Sequence, residues 1–301
     1  MAQPLLFGIN VDPTTDQLDE TLQRTQFADE HGLDLCMIQD HPYNRRFLDT
    51  WTLLAFLAAR TRHVHLGTNV ANLPLRPPAM LAKQAASLDV LSGGRLELGL
   101  GAGAYWPGIA ALGGPMRSSP EAYRAFEEAL YIIKGMWANA GRAFSYQGEF
   151  YQVKGAQPGP APAHPIRIWA GAVGPKMQRL TGRLADGILV SSTYVPPERL
   201  PEMNDRLDLG AAEAGRPAEA IRRGYNLMGI IDVGQFGGSI PAHEPGVLYG
   251  SVQEWVTLLI RYHNEYRLDT FIFWPVADAP LTQLQAFAQD VIPAVRAGVG
   301  N

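Results

Sequence analysis

Short apolar runs alternate with longer helical patterns along almost the whole chain, and no other feature of the sequence constrains the fold as strongly. Eight runs have the length and composition of a buried strand; they span residues 5–11, 33–39, 64–70, 95–100, 166–171, 187–191, 224–231 and 270–275. A segment of helical period follows each run. Strands that alternate with helices predict a parallel sheet, and strands that are apolar on both faces must be covered on both.

The number of strand–helix units favours a closed barrel. Eight helices are predicted, at residues 18–31, 50–60, 77–91, 120–137, 175–185, 197–214, 251–266 and 280–296. The alternative is an open doubly wound sheet, but the chain contains no linker of domain-boundary composition. Its Pro-rich connector, Gly155 to Pro165, and a predicted hairpin, Phe144 to Val153, fall inside one unit. We therefore predict an α/β fold, a single (β/α)₈ TIM barrel over residues 1–301 with insertion loops at its C-terminal face.

Composition argues against several functional classes. The net charge is −4 and the arginines are scattered, which gives no electrostatic footprint for nucleic acid. Cys36 is the only cysteine, so neither an intrachain disulfide nor a cysteine-rich metal cluster is expected. The sequence shows neither a signal-peptide pattern nor an apolar run of about 18 residues. We expect a cytoplasmic protein that binds no membrane and acts on a small-molecule organic substrate.

Polar residues and glycines gather at the predicted C-terminal ends of the strands, where the active sites of such barrels lie. These positions are Asn10, Asp40, His41, Asn69, Asn72, Gly99 to Gly103, Ala170 to Gly174 and Ser191 to Tyr194. A barrel without a site at this end would scatter such residues more evenly. The sequence therefore predicts that the chemistry takes place there.

Asp40 and His41 form the most suggestive pair. A histidine beside a reactive group can donate a hydrogen bond or move a proton, and a neighbouring carboxylate can orient it. In the alternative interpretation, Asp40 caps a loop and His41 merely precedes Pro42 in a turn. The residue types leave both open, and the position at a strand end favours the functional one.

The segment Gly174-Pro175-Lys176 opens a helix directly after a strand. Glycine allows close backbone approach, proline suits the first helical turn, and the free N–H groups of a helix start attract anions. This pattern fits a phosphate site. An ordinary strand-to-helix turn would have the same sequence.

Two other patterns are weaker. The run Gly99 to Gly103 resembles a dinucleotide fingerprint, but that motif needs a helix at once, and Tyr105 and Trp106 intervene; close approach of backbone to a planar ring is a better use of these glycines. His63 and His65 have a spacing that could suit a metal on one strand face. Because no acidic or cysteine partner lies nearby in sequence, we predict no metal site. The chain also lacks the G-x-S-x-G pattern of hydrolases.

Two longer motifs carry a family resemblance. The first runs from Leu66-Gly67-Thr68-Asn69-Val70 through Leu75-Arg76-Pro77-Pro78-Ala79 and residues 88–95 to Leu98-Gly99-Leu100-Gly101-Ala102-Gly103. The second joins Gly174-Pro175-Lys176 to Ala185-Asp186-Gly187. In their order and spacing, over about Phe7 to Ile292, the chain resembles the luciferase-like superfamily of flavin monooxygenases and deazaflavin-dependent oxidoreductases.

The resemblance implies a cofactor site at named positions. Members of this superfamily carry a cis peptide behind the isoalloxazine ring, and this peptide corresponds to Asn69–Val70 here. Asp40 and His41 match a pair near the pyrimidine edge and reactive centre of the ring in deazaflavin members. The implied cofactor-binding residues are Asp40, His41, Asn69, Val70, Ala102 and Gly103 along the cofactor, and Ala172, Val173 and Gly174 at its phosphate.

One departure from the family pattern bears on the substrate. The sugar-phosphate dehydrogenase branch carries a glutamate acid where this chain has Ala104, which Tyr105 and Trp106 follow. The departure puts a sugar-phosphate substrate in doubt and indicates a more apolar pocket. It also makes His41 the leading proton donor or acceptor, with Asp40 as the second catalytic candidate.

The resemblance implies hydride transfer between coenzyme F420 and an unidentified organic substrate. The alternatives are a monooxygenase that uses reduced FMN and O₂, and a barrel that has kept the fold without catalysis. Loops at Gly103 to Ser119 and Gly234 to Gly250 are long enough to serve as lids. The glycine-rich residues 234–238 are the more mobile candidate, although a plain surface loop would have the same composition. Because members often pair through barrel helices, a homodimer is expected.

Overall fold

A ring of parallel strands surrounded by helices forms the body of the structure. The computed structural model describes residues 3–234, 246–277 and 279–300. Its strands are β1 (Leu6–Val11), β2 (Leu35–Ile38), β3 (His65–Thr68), β4 (Ala71–Asn72), β5 (Leu96–Gly101), β6 (Phe144–Gln147), β7 (Gln152–Ala156), β8 (Ile168–Gly171), β9 (Gly187–Ser191), β10 (Arg222–Asp232), β11 (Val247–Ser251) and β12 (Thr270–Pro275). Its α-helices are α1 (Leu18–Glu30), α2 (Thr50–Ala58), α3 (Pro78–Ser92), α4 (Trp106–Ala111), α5 (Ser119–Ala138), α6 (Pro175–Leu184), α7 (Leu200–Glu213), α8 (Val252–Tyr266), α9 (Pro280–Ala286) and α10 (Ile292–Gly298).

Eight of these strands close into a barrel, which confirms the predicted fold. The parallel order is β1, β2, β3, β5, β8, β9, β10 and β12, and β12 returns to β1 with Phe271 opposite Phe7. The first part of β10 pairs with β9 and its last part with β11, so this long strand extends beyond the ring. Because all eight strands are parallel, their C-terminal ends meet at one mouth.

Capping residues fix where several of the surrounding helices begin and end. At the start of α2, the Asp49 carboxylate accepts the backbone N–H of Thr52 at 2.9 Å. At the start of α8, Ser251 and Glu254 form a reciprocal capping box. Helix α3 ends at Gly93, whose φ of +73° is the left-handed conformation that glycine adopts without strain.

Trp169 fills the middle of the barrel. It is fully buried and packs with Leu35, Leu189 and other interior residues. A Cβ placed at Gly187 would lie 2.6 Å from the Trp169 ring, so a small residue is needed beside it. The barrel is therefore a packed core closed below its mouth, as this fold class requires.

The predicted lids contain more regular structure than expected. The loop predicted from Gly103 to Ser119 contains the short helix α4, and the end of the loop predicted from Gly234 to Gly250 pairs with β10 as strand β11. Helix α4 begins with Trp106 and Pro107, directly after its N-cap residue Tyr105. These residues did not suggest a helix start in the sequence. Of the glycine-rich stretch, only Gly234 belongs to the described residues.

The predicted hairpin and the last predicted helix are both present, and each differs from the prediction in one detail. The predicted hairpin is the antiparallel pair β6 and β7, which extends to Ala156. The last predicted helix is interrupted by a π-helical stretch, Phe287–Val291, between α9 and α10. Among the described helices, none is both long enough and apolar enough to span a membrane.

Candidate active site

Val70 lies over the barrel mouth, between the ends of three strands. The Asn69–Val70 peptide is cis, as the family resemblance implied. A Cβ added at Gly101 would lie 2.7 Å from Val70 Cγ2, and one added at Gly171 would lie 3.0 Å from it. At Gly99 an added Cβ would lie 3.1 Å from Val70 Cγ1 and would clash with the Thr68 carbonyl. The strand-end glycines therefore make room for the Val70 segment.

Asparagines from two distant strands hold this segment through Asn69. Asn69 Nδ2 donates to Asn10 Oδ1 at 3.1 Å and to Asn226 Oδ1 at 2.8 Å. Asn226 Nδ2 in turn donates to Asn69 Oδ1 at 3.3 Å. These bonds link β1 and β10 to the turn after β3. Among the described residues, the buried Nδ2 of Asn10 has no hydrogen-bond partner.

Asp40 lies just inside the mouth and is bound on both oxygens. Its Oδ2 accepts the Asn72 backbone N–H at 2.9 Å and Arg76 Nε at 2.8 Å, and its Oδ1 accepts Arg76 Nη2 at 2.9 Å. The residue is 1% exposed. Its carboxylate thus ties the end of β2 to β4 and to the Arg76 segment, which leaves it poorly placed to act as an acid or base.

His41 faces an aromatic group at the rim of the mouth. Its Nδ1 lies 2.8 Å from the Tyr43 hydroxyl. Tyr43 makes an edge-to-face contact with Tyr105, with ring centroids 5.2 Å apart, and Tyr105 is exposed. Partial desolvation lowers the pKa of the His41 imidazole, while the charge of Asp40 acts in the opposite direction. A neutral His41 can accept or donate a proton at this rim.

The start of α6 is open around Gly174. Ala172 is buried, Val173 is exposed, and Gly174 occupies the N-cap position with free space around an added Cβ. The buried Gln178 amide donates to the Val173 carbonyl at 3.0 Å, which holds the turn. The first backbone N–H groups of a helix have no intrahelical acceptor, so this turn presents donors to a ligand anion.

Gly103 connects this mouth to the predicted lid. Its φ of +99° is unfavourable for other residues, and an added Cβ would lie 2.7 Å from Pro74 and 3.0 Å from Trp106. Ala102, just before it, is partly exposed. The backbone of this segment therefore packs closely against the turn after β4 and the start of α4.

The structure brings most of the predicted site residues to one end of the barrel. Sequence reasoning missed three residues that shape the site: Tyr43, Arg76 as the partner of Asp40, and Asn226. A signal existed for Asn226, because a polar amide interrupts the apolar run of residues 224–231. The Arg76 pairing had no such signal, since the two residues are far apart in sequence.

Comparisons of the sequence with known proteins identify a family. A family model described as luciferase-like monooxygenase matches residues 4–233. An F420-dependent glucose-6-phosphate dehydrogenase of Microbacterium testaceum is 31% identical over 233 residues, which are 73% of this chain and 67% of the relative. A 5,10-methylenetetrahydromethanopterin reductase of Archaeoglobus fulgidus is 33% identical over 198 residues, 65% of this chain and 55% of the relative. The aligned part thus spans about half to two thirds of these curated relatives.

Solved structures share the fold over nearly the whole chain. An F420-dependent secondary alcohol dehydrogenase in complex with an F420-acetone adduct superposes with a TM-score of 0.85 at 18% identity, covering 98% of this chain and all of that one. A monooxygenase of Streptomyces bottropensis gives a TM-score of 0.79 at 22% identity, covering 96% of this chain and 99% of the other. At these identities the likeness establishes the barrel architecture.

Proposed function

Because the chain belongs to the luciferase-like monooxygenase family, we propose that it is an oxidoreductase that binds coenzyme F420 at the barrel mouth. It transfers a hydride between this cofactor and a small organic molecule. The single observation that carries the proposal is the platform formed by Val70 among the strand-end glycines, with the open N-terminus of α6 at the same end. The relative from Microbacterium testaceum supports the choice of cofactor, since its name states F420 dependence.

The residues present fit a planar cofactor with a phosphate-bearing tail. Glycines at 101 and 171 give Val70 room to lie against the strand ends, and the partly exposed Val70 would then offer its free face to a ring system. The unpartnered Asn10 Nδ2 is a buried donor at the same end, available to a ring acceptor. Gly174 and the first N–H groups of α6 would hold the phosphate, and the Ala102–Gly103 backbone would line the tail.

The protein's part in the reaction is orientation and proton control. Bound coenzyme F420 supplies a hydride donor or acceptor at C5 of its deazaflavin ring. His41 is the group we assign to the proton that accompanies the hydride, at its imidazole nitrogens, with the Tyr43 hydroxyl fixing the ring. Asp40 acts as a positioning residue through Arg76 and Asn72.

The rim favours an apolar or aromatic substrate. Ala104 presents only a methyl group where the sugar-phosphate branch that the sequence resembles has a glutamate. The exposed Tyr105 and its neighbour Tyr43 offer aromatic surface instead. A small ketone, aldehyde or conjugated alkene suits this surface better than a sugar phosphate does.

An anaerobic assay separates this proposal from FMN-dependent oxygenation. Chemically reduced coenzyme F420 is mixed with the protein and a panel of small ketones, aldehydes and enones, and the return of the oxidised cofactor is followed by absorbance. We expect acceptor-dependent oxidation without O₂, and no reduction of oxidised cofactor by glucose 6-phosphate. Turnover that requires O₂ and reduced FMN would support the oxygenase instead. Rapid oxidation of glucose 6-phosphate would show that the rim does not select an apolar substrate.

A further inference from the structure

A second cluster of polar side chains lies at the N-terminal end of the barrel, away from the mouth. It consists of His65 at the start of β3, Glu97 near the start of β5 and His164 in the connector before β8. One potential ligand atom from each residue lies within 4.8 Å of the other two. The two imidazole rings meet edge to face, with centroids 5.6 Å apart.

His164 is oriented by a buried carboxylate. Its Nδ1 lies 2.7 Å from Asp89 Oδ1, and Asp89 is fully buried. Asp89 Oδ2 also accepts the backbone N–H groups of Ala163 at 2.7 Å and of His164 at 3.0 Å. With Asp89 accepting from several donors, Nδ1 of His164 donates to its carboxylate, and Nε2 is the ring nitrogen left to bind an ion. A carboxylate behind a histidine in this way is the usual support of a metal-binding imidazole.

Two ring nitrogens of the cluster are buried without a partner. Within the described residues, neither Nδ1 of His65 nor Nε2 of His164 makes a hydrogen bond. His65 Nδ1 stands 3.6 Å from Glu97 Oε1, beyond hydrogen-bond distance. A buried polar atom without a partner is costly, so each such atom calls for an explanation such as an ion.

Glu97 supplies a buried carboxylate to the same space. Trp169 Nε1 donates to Oε2 at 2.8 Å, which leaves Oε1 to face the histidines. Oε1 also accepts Arg167 Nη1 at 2.8 Å, but that side chain is 41% exposed and a carboxylate oxygen has a second lone pair.

We propose that His65 Nδ1, Glu97 Oε1 and His164 Nε2 bind a divalent ion of the zinc type. Two imidazoles and one carboxylate form a donor set that zinc accepts, with water at the fourth position. Ligands of a tetrahedral zinc lie roughly 3.4 Å apart, given bonds of about 2.0–2.1 Å. The cluster needs to contract by roughly an ångström, which the partly exposed His65 allows.

Such an ion would brace the closed end of the barrel. It joins β3, β5 and the connector before β8, three segments that are far apart in sequence. A surface cleft of about 560 Å³ lies beside His164 and is lined also by Lys134 and Asp186. The sequence concealed this site because the acidic partner and the second histidine lie on other segments. His63, the neighbour considered from the sequence, is exposed and outside the cluster.

Metal titration tests the proposal directly. The full chain is treated with EDTA, transferred to metal-free buffer, and titrated with Zn²⁺ in competition with a chromophoric chelator. We expect one zinc per chain, and a tetrahedral ligand-field spectrum when Co²⁺ replaces it. His65→Ala and His164→Ala should each weaken zinc binding at least about tenfold, and His63→Ala should leave it unchanged.

If a variant folds poorly, zinc binding by the unmodified chain still decides the question. Failure of that chain to bind one Zn²⁺ or Co²⁺ would overturn the proposal, and so would equal weakening by His63→Ala. Thermal unfolding gives a second readout, because a ligand of the folded state alone raises Tm. We expect zinc to raise the Tm of the unmodified chain and of His63→Ala, and not that of His65→Ala. Coenzyme F420 affinity, measured in parallel, reports on the other end of the barrel and should be the same in all four proteins.

Discussion

The Asp40 carboxylate and the Arg76 guanidinium form a two-point ion pair, with 2.8 Å from Nε to Oδ2 and 2.9 Å from Nη2 to Oδ1. Arg76 is 12% exposed and also donates to Asp49 Oδ2 at 2.7 Å. The pair fixes the segment that follows the Val70 turn, so the position of the platform depends on it. The family resemblance implied that Asp40 lies beside the cofactor. In the structure its carboxylate instead holds the backbone segment that follows Val70.

Asp40→Asn should destabilise the protein strongly. The substitution removes the charge that compensates the largely buried Arg76 and weakens acceptance from three N–H groups, one of Asn72 and two of Arg76. Loss of one partner of a buried ion pair costs about 3–5 kcal/mol, and the amide oxygen that remains should hold the loss near 3 kcal/mol. Urea unfolding at neutral pH measures the change in the free energy of unfolding.

Asp49→Asn is the matched control for that variant. Asparagine caps a helix as well as aspartate does, so α2 keeps its first hydrogen bond. Asp49 is 44% exposed, and exposed ion pairs contribute about 1 kcal/mol or less. Equal losses in Asp40→Asn and Asp49→Asn would contradict the role assigned to the buried pair.

The His41 imidazole should titrate below its ordinary pKa of 6.5. Desolvation disfavours the charged ring, and the opposing charge of Asp40 only reduces this effect. The contribution of this group to stability is then present above pH 6.5 and declines as the pH falls through the lower folded pKa. NMR titration with His41→Gln for assignment measures the midpoint, and a value above 6.5 would exclude the neutral resting state.

Gly174→Asp should change stability and cofactor affinity in opposite directions. An aspartate at this N-cap stabilises α6 by a few tenths of a kcal/mol or more, because it accepts first-turn N–H groups and suits the helix dipole. The same charge repels a phosphate at the helix start, and we expect roughly tenfold weaker F420 binding. Gly174→Asn gives the cap without the charge, so its affinity should fall much less. Unchanged F420 affinity in Gly174→Asp would show that the cofactor phosphate does not bind at this turn.

Gly101→Ala should disturb the Val70 platform. The new methyl group would lie 2.7 Å from Val70 Cγ2, which forces the cis segment or β5 to shift. Overpacking of this kind costs about 1–3 kcal/mol, and F420 affinity should fall with it. In Gly174→Ala an added Cβ meets nothing within 4 Å, so any loss of stability there reports a weaker helix cap and not overpacking. Wild-type stability and affinity in Gly101→Ala would show that the close approach is not required.

The barrel was predictable because its signals are local and repeated. Each apolar run and each helical period follows from burial on neighbouring elements, and most strand and helix limits agree with the structure to within a few residues. Helix α4 was not predicted because the residues at its start, Tyr105, Trp106 and Pro107, resemble a loop. Strand β11 was missed because its pairing depends on the unusual length of β10.

The site was predictable only where a strand end identifies it. Asn10 lies near the end of β1, Asn69 directly follows β3, and His41 comes three residues after β2, so parallel topology alone brings them to one mouth. Partners that meet through tertiary structure were invisible: Arg76 with Asp40, and Glu97 with His164. Those pairings depend on how the turns fold, and no spacing along the chain encodes them.

Equilibrium titration with the two cofactors tests the central claim most directly. Purified chain is titrated separately with coenzyme F420 and with FMN, and binding is followed by fluorescence quenching. We predict saturable binding of one F420 per chain, at least about tenfold tighter than FMN, a difference of about 1.4 kcal/mol. Saturable binding of FMN with no binding of coenzyme F420 would contradict the account.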